Sequence, residues 1–191
     1  MVIRMAINLL TPFQKSLIVG TMLGDGAMRR KRGALLEVNH SIHQREYVDW
    51  KYRALENLVR TPPSPRRGNG CRLAYRFTTL SLAELAPIYD AFYRGRKKVV
   101  PALDLDQIAL AVWFMDDGSR SRSSVYFNTQ QFSNDDQHRL MRMLKDQWGI
   151  NCTLNKDKVY SRIRVAVKSM HRLRAAIRSF VLPSLAYKLP D

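Results

Sequence analysis

Cysteine is scarce in this chain, and acidic residues are half as many as basic ones. Cys71 and Cys152 are the two cysteines among 191 residues and lie far apart. That excludes a disulfide framework and a zinc ribbon, and it suits a reducing compartment. No apolar run is long enough to span a bilayer. The first ten residues hold one basic residue and a short, interrupted apolar run, a poor signal or transit peptide. A P-loop, a dinucleotide-binding glycine pattern and a zinc-deaminase signature are all missing. Asp and Glu number 16 against 32 Lys and Arg, leaving a net charge of +16 and a pI near 10.4. An excess of this size points to a polyanionic partner, with nucleic acid ahead of a membrane surface. A compact ribosomal protein is the bland alternative. With 46% hydrophobic and 9% aromatic residues, the composition is globular and not disordered. The length allows one domain, or two small halves packed as one.

The chain carries an internal repeat. Ser16-Leu-Ile-Val-Gly-Thr-Met-Leu-Gly-Asp-Gly26 and Gln107-Ile-Ala-Leu-Ala-Val-Trp-Phe-Met-Asp-Asp-Gly118 are apolar runs ending in acid-Gly, and Asp25 and Asp117 stand 92 positions apart. Asn39 matches Asn128 at a spacing of 89, as Tyr52, Leu55 and Val59 match Met141, Leu144 and Trp148. Phe77 matches Val165 and Tyr89 matches Ile177 at 88, and Lys98 matches Lys188 at 90. An ordered series with so little drift implies duplicated halves: residues 1–96, a linker over 97–103, and residues 104–191. Each half reads as helix (about 12–24 and 104–116), strand pair (clearest at 35–42 and 124–130) and helix (44–59 and 134–148). A second strand pair ends in 71–79 and 158–167, and a third helix follows at 81–94 and 169–181. Thr11-Pro12 and Asp104 are the expected starts of the first helices, and 61–70 reads as an exposed loop by its Pro and Gly content. The fold class is therefore α+β, αββαββα twice, with antiparallel sheets.

Alternation sorts the strand residues into faces. Leu73, Tyr75 and Phe77 share one face, and Arg72, Arg76 and Thr78 the other. Ile163, Val165 and Val167 share one face, and Tyr160, Arg162 and Arg164 the other. Val38 and Phe127 point inward, while Glu37, Asn39 and Ser41 correspond outward to Tyr126, Asn128 and Gln130. Arg suits guanine, and Asn or Gln suits adenine, in the major groove. Any one of these residues could simply be solvated, but the symmetry of the set favours a nucleic-acid-reading face. Arg29 to Arg32 (with Lys31), Arg66, Arg67, Lys156 and Lys158 are assigned to phosphates or to solvent.

The two acid-Gly runs carry the candidate chemistry. A helix with almost no polar residue over two turns must be buried. Gly20 and Gly24 would share a face and let another backbone approach, with small Ala109 and Ala111 supplying the counterpart. The two helices are expected to pack together at the junction of the halves, bringing Asp25 near Asp117. Adjacent carboxylates repel unless a cation lies between them. Hard carboxylate oxygens suit Mg²⁺, which tolerates phosphate and water as further ligands, and the reaction that follows is metal-assisted phosphodiester hydrolysis. Lys98 and Lys188 would stabilise charge on the scissile phosphate or help to activate water. His40, His43, His138 and His171 form no metal set and read as surface or sheet-edge residues.

Ile18-Val-Gly-Thr-Met-Leu-Gly-Asp-Gly26, Leu110-Ala-Val-Trp-Phe-Met-Asp-Asp-Gly118, Phe127-Asn-Thr-Gln130 and Tyr187-Lys-Leu-Pro190 together resemble the single-chain LAGLIDADG homing endonucleases, intron-encoded subgroup, over about 13–190. The first motif departs from the family name at Thr21 and Leu23. The resemblance implies a saddle of two sheets in the DNA major groove and a sequence-specific double-strand break with 3′ overhangs at a long asymmetric site. It implies a monomer acting on double-stranded DNA, with Asp25 and Asp117 as metal ligands aided by the carbonyls of Gly24 and Asp116. Lys98 and Lys188 match the subgroup's active-site lysines. The competing expectations are an RNA maturase assisting group I intron splicing, with the host intron RNA as partner, and a non-cleaving DNA-binding regulator. No membrane association is expected. The location would be a bacterial cytoplasm, or the matrix or stroma of an organelle.

Overall fold

The computed structural model describes residues 10–68, 73–157 and 159–190. Helix α1 (Pro12–Leu23) starts at a capping box. The Thr11 hydroxyl accepts from the Gln14 amide, the Gln14 side chain accepts from the Thr11 amide, and Pro12 sits where no amide hydrogen is needed. Then come β1 (Ala27–Arg30), β2 (Ala34–Ser41), α2 (Arg45–Leu55), β3 (Ser64–Arg67), β4 (Leu73–Thr78) and α3 (Ala86–Phe92). A short ribbon of β5 (Tyr93–Arg94) and β6 (Lys97–Lys98) leads to α4 (Gln107–Asp117). The order then repeats as β7 (Gly118–Ser121), β8 (Ser124–Phe127), α5 (Asn134–Trp148), β9 (Cys152–Asp157), β10 (Tyr160–Val165) and α6 (Met170–Ile177). The chain closes on a 3-10 turn over Pro183–Lys188.

Both four-stranded sheets are antiparallel and share one topology, β1-β2-β4-β3 and β7-β8-β10-β9. The central strand pairs differ in register: Asn39 lies opposite Arg76 and Val38 opposite Phe77, whereas in the second sheet Arg164 faces Tyr126 and Phe127 faces Ile163, a displacement of two residues from the repeat that keeps the same residues on the inward face. Leu36, Val38, Tyr75 and Phe77 are buried on one face of the first sheet, as are Val125, Phe127, Ile163 and Val165 in the second. That burial is the consequence of period-two alternation under a layer of helices. At the centre lie α4, buried along nearly its whole length, and α1, buried over its second half, with Pro12, Phe13 and Lys15 exposed. Among the described residues no helix is long and apolar enough to cross a membrane.

Several sequence expectations are corrected. The helix start expected at Asp104 falls at Asp106, whose side chain accepts from the Ala109 amide. The segment 61–70, expected as loop, contains β3, an outer strand of its sheet, where Pro65 costs no ladder hydrogen bond. Val167, expected inward, is 52% exposed because the chain leaves the strand at Val165 and enters a 3-10 turn. Both third helices are shorter than expected, each entered through such a turn. Cys71, Arg72 and Lys158 lie outside the described residues.

Candidate active site at the helix junction

The motif helices meet because glycine leaves room. A Cβ on Gly20 would lie 2.5 Å from the Ala109 carbonyl oxygen and 2.7 Å from Val112 Cβ, and one on Gly24 would lie 2.4 Å from Asp116 Cβ. At the other end of the pair the Ser16 hydroxyl bonds the Asp106 carboxylate. This contact brings the two acid-Gly ends together, as the spacing of small residues implied.

Asp25 follows the end of α1 and is half-exposed, its carboxylate 3.6 Å from His40 Nδ1. Asp117 is the last residue of α4 and is buried, and its Oδ2 has no hydrogen-bond partner. Burial pushes the Asp25 carboxyl above the usual range, Asp116 adds to the rise, and Lys51, Lys188 and Lys98 oppose it. Burial, then the charges of Asp25 and Asp116, push Asp117 well up, against Lys98 and Lys188. The two carboxylates thus feel each other, in surroundings that disfavour their negative charge.

Each lysine sits against the end of one motif helix. Lys98 Nζ donates to the carbonyls of Gly24 at 2.8 Å and Gly26 at 2.9 Å, and to Gln131 Oε1 at 3.2 Å. Lys188 Nζ donates to the carbonyls of Met115 and, at 3.1 Å, Asp116. Both are placed to neutralise the negative end of the helix dipole. Burial pushes Lys98 down to about 8 against the pull of Asp117, Asp116 and Asp25; Lys188 is lowered too, by burial first. The Gly24 carbonyl also accepts from Gln131 Nε2 at 3.1 Å, so both carbonyls expected to bind metal face ammonium groups.

Five contributors escaped the sequence reading. The Asp116 side chain is fully buried and accepts from Lys51 Nζ at 2.7 Å and Tyr47 hydroxyl at 2.7 Å. Burial alone would raise its carboxyl, but Lys51, His40 and the hydrogen bonds from Lys51 and Tyr47 outweigh that and hold it below the usual range. His40, expected at the surface, is 6% exposed, with Nε2 3.6 Å from Asp116 Oδ1. It lies on the inward face with Val38, and burial with the neighbouring Lys51 pushes it down to about 4. Gln131 is the fifth. The signal for Lys51 was present: it falls on the same α2 face as Tyr47, Val48 and Leu55, and Leu140 stands at the equivalent place in α5.

The open sheet faces hold most of the remaining candidates. A cleft of about 500 Å³ beside Asp25 is lined by Glu37, Asn39, His40, Ser41 and Gln44 among others. Glu37 pairs with Arg29, and with Arg76 at 3.8 Å. Arg162 lies 4.6 Å and Arg164 6.0 Å from the Tyr126 ring centre, while Tyr160, Asn39 and Lys31 are exposed. Asn128 is turned partly inward, donating to the Asp117 carbonyl at 2.9 Å and accepting from Arg162 at 3.4 Å. Gln130 lies past the end of β8, in a turn.

Among the described residues no three His, Cys, Asp or Glu side chains gather into a metal-binding group. The fitting donors are the two acid-Gly carboxylates: hard oxygens, one of them buried and unpartnered, at a place where negative charge is penalised. A Mg²⁺-type ion, which completes its shell with water and phosphate oxygens, matches that set.

The family model for the LAGLIDADG DNA endonuclease family matches residues 15–173. "Cytochrome b mRNA maturase bI2" of Debaryomyces hansenii is 28% identical over 203 residues, covering 96% of this chain and 77% of that one. "Intron-encoded endonuclease ai4" of Dictyostelium discoideum is 31% identical over 121 residues, covering 60% and 76%. The chain spans about half the length of two other curated relatives that it matches (46% and 48%). The solved structure of the homing endonuclease I-WcaI bound to its DNA recognition sequence matches with a TM-score of 0.85 at 23% identity, covering 94% of this chain and 87% of that one. A duplicated αββαββα fold, two acid-Gly helix ends in contact and a match along most of the chain have one conclusion: this protein belongs to the LAGLIDADG DNA endonuclease family.

Proposed function

We propose that the protein is a sequence-specific, metal-dependent DNA endonuclease that acts as a monomer on a long asymmetric duplex site and leaves 3′ overhangs. The observation that carries the reading is that the two motif helices touch at their acid-Gly ends, Gly24 against Asp116, with a lysine on each end. The two halves differ in sequence, which suits an asymmetric target. Arg76, Arg162 and Arg164 with Asn39, Glu37, Ser41, Tyr126 and Tyr160 offer base-edge contacts from the open faces. Arg29 and Lys31 suit phosphates. Arg72 and Gln130 are kept as candidate contacts on the sequence pattern alone.

Asp25 and Asp117 would hold the divalent cation, Mg²⁺ being the expected ion, and the carbonyls of Gly24 and Asp116 would contribute only by sharing with Lys98 and Lys188. A bound cation of this kind lowers the pKa of attached water and draws charge from a phosphoryl oxygen. Lys98 and Lys188 would keep positive charge beside the two scissile positions, where negative charge builds. Neutral His40 fills the wall between Asp25 and Asp116. The location would be wherever the host DNA lies, a bacterial cytoplasm or an organelle matrix or stroma.

A relative named as an mRNA maturase, aligned over 96% of this chain, favours RNA maturation as a second reading. The test is cleavage of a duplex joining the sequences that flank the host intron, with Mg²⁺, by wild type, Asp25→Asn and Asp117→Asn. Cutting by wild type, lost in the variants while binding persists, supports the nuclease. Tight duplex binding with no cutting, together with splicing assistance, would replace it with the maturase.

A further inference from the structure

Asp116 occupies in the second motif the place that Gly24 holds in the first, and the two meet across the helix pair. A Cβ on Gly24 would lie 2.6 Å from Asp116 Oδ2, so the carboxylate fills the space that the glycine leaves. Helix α1 ends at Leu23, and the Asp25 amide donates instead to Asp116 Oδ2 at 3.3 Å. The other carboxylate oxygen, Oδ1, is held by Tyr47 and Lys51 from α2, both fully or almost fully buried. Asp116 therefore ties α2 of one half to the backbone of the candidate metal ligand of that same half.

Asp117 is held differently: its carbonyl accepts from the backbone and side-chain amides of Asn128, at 3.0 and 2.9 Å, and among the described residues no buried acid-lysine cluster reaches it. At the repeat spacing of 89, Tyr47 and Lys51 correspond to Asp136 and Leu140. Asp136 bonds Ser133 and the Val100 amide, and Leu140 is apolar core. Gly24 has no side chain to offer. A buried ion pair seldom adds stability over an apolar pair of the same volume, and Leu140 shows that this fold packs well with leucine at that place. What the cluster adds over leucine is direction: two donors fix one carboxylate, and that carboxylate fixes one peptide group.

We propose that Tyr47, Lys51 and Asp116 form a one-sided lock that sets the orientation of Asp25 and does not reach Asp117, whose carbonyl Asn128 holds instead, so that the two strands of a duplex are cut by unequal sites. Tyr47 and Lys51 are then positioning residues for the strand served by Asp25. The strand consequence rests on the nuclease reading; the lock itself does not.

The test uses the full chain with Lys51→Leu plus Asp116→Gly, which installs the residues of the equivalent places and strands neither charge, and separately Tyr47→Phe. The first readout is amide hydrogen exchange without DNA or metal. In the double variant the Asp25 amide should exchange about tenfold faster or more, as loss of a charge-assisted bond implies, and faster also in Tyr47→Phe, while the Gly118 amide, bonded to Phe114, keeps its rate. The second readout is strand-resolved cutting of the end-labelled duplex joining the intron-flanking sequences. One strand should slow by about 10- to 100-fold with the other near wild type, so that nicked product accumulates. Unchanged Asp25 exchange in a folded variant, or equal slowing of both strands, overturns the proposal. If the double variant does not fold, Tyr47→Phe decides by the same criteria. If wild type cuts no DNA, the nuclease reading falls, and the exchange result still decides the lock.

Discussion

Gly20→Ala is the substitution whose sign is most informative. An intrinsic-propensity argument says that alanine in a helix interior should gain about 1 kcal/mol over glycine. The packing says otherwise. The new methyl would stand 2.7 Å from Val112 Cβ and 2.5 Å from the Ala109 carbonyl oxygen. Carbon pairs are comfortable at about 3.5 Å or more, so α1 and α4 would have to part by about 0.8 Å. The carbonyl belongs to a helical backbone and cannot rotate aside, which puts the overpacking cost at about 2–3 kcal/mol. The net is a loss of about 1–2 kcal/mol, or about 2–8 °C in melting temperature for a chain of this length. Because Asp25 and Asp117 ride on those helices, cleavage should also fall by about 10- to 100-fold. Calorimetry beside the exposed control Lys15→Ala, and initial cutting rates, check both. A variant that melts at or above wild type, with unchanged cutting, would refute the close helix contact and the site built on it.

Four further outcomes are expected. Asp117→Asn should abolish cutting, yet raise the metal-free melting temperature at pH 7, at about 2–4 °C per kcal/mol relieved. The sign follows because an acid whose folded pKa is raised costs stability above its unfolded pKa, so the gain should vanish in acid; calorimetry at pH 7 and below pH 4 checks it. His40→Asn should flatten part of the acid loss: with its folded pKa at about 4 and the unfolded one higher, the unfolded chain takes the proton first and stability falls as pH drops from about 6.5 to 4. Matched thermal melts of wild type and variant across that interval read the difference. Binding to duplex DNA should weaken by about 10³- to 10⁵-fold between 50 and 200 mM salt if about 6–10 phosphates are neutralised, and a flat titration would remove the phosphate role of the basic surface. Arg76→Ala and Arg164→Ala should each cost about 1–3 kcal/mol at one base pair and relax specificity there, as a panel of single-base target variants would register.

The parts of the fold written as continuous patterns were legible. The motif helices announce themselves as apolar runs because α4 and the second half of α1 are wrapped by protein on nearly every side. The span 134–148 expected for the second helix of the later half matches Asn134–Trp148, since Ser133 caps it and Gly149, at φ 63°, ends it in the left-handed region. The inward faces of β2 and β4 follow from alternation, except at Leu73, expected inward with Tyr75 and Phe77 but 37% exposed at the start of its strand. Less legible were places where a polar residue occupies a core position. Lys51 sits on an apolar helix face and His40 on an inward strand face, and either is explained only by a partner from far along the chain, Asp116 at a separation of 65 from Lys51. Asp116 itself hid behind its neighbour: of two adjacent acids, only the geometry tells which one faces the lysine and which lacks a partner. Gln131 gave no signal, as its contacts with Lys98 and the Gly24 carbonyl cross from one half to the other.

The central claim, that one acid from each repeat holds a common divalent cation, is tested most directly by anomalous scattering from a crystal of the protein with target DNA and Mn²⁺. A peak within about 2.0–2.6 Å of carboxylate oxygens of both Asp25 and Asp117 is the expected result. Anomalous density that lies elsewhere, with those two carboxylates turned away from each other, would contradict it.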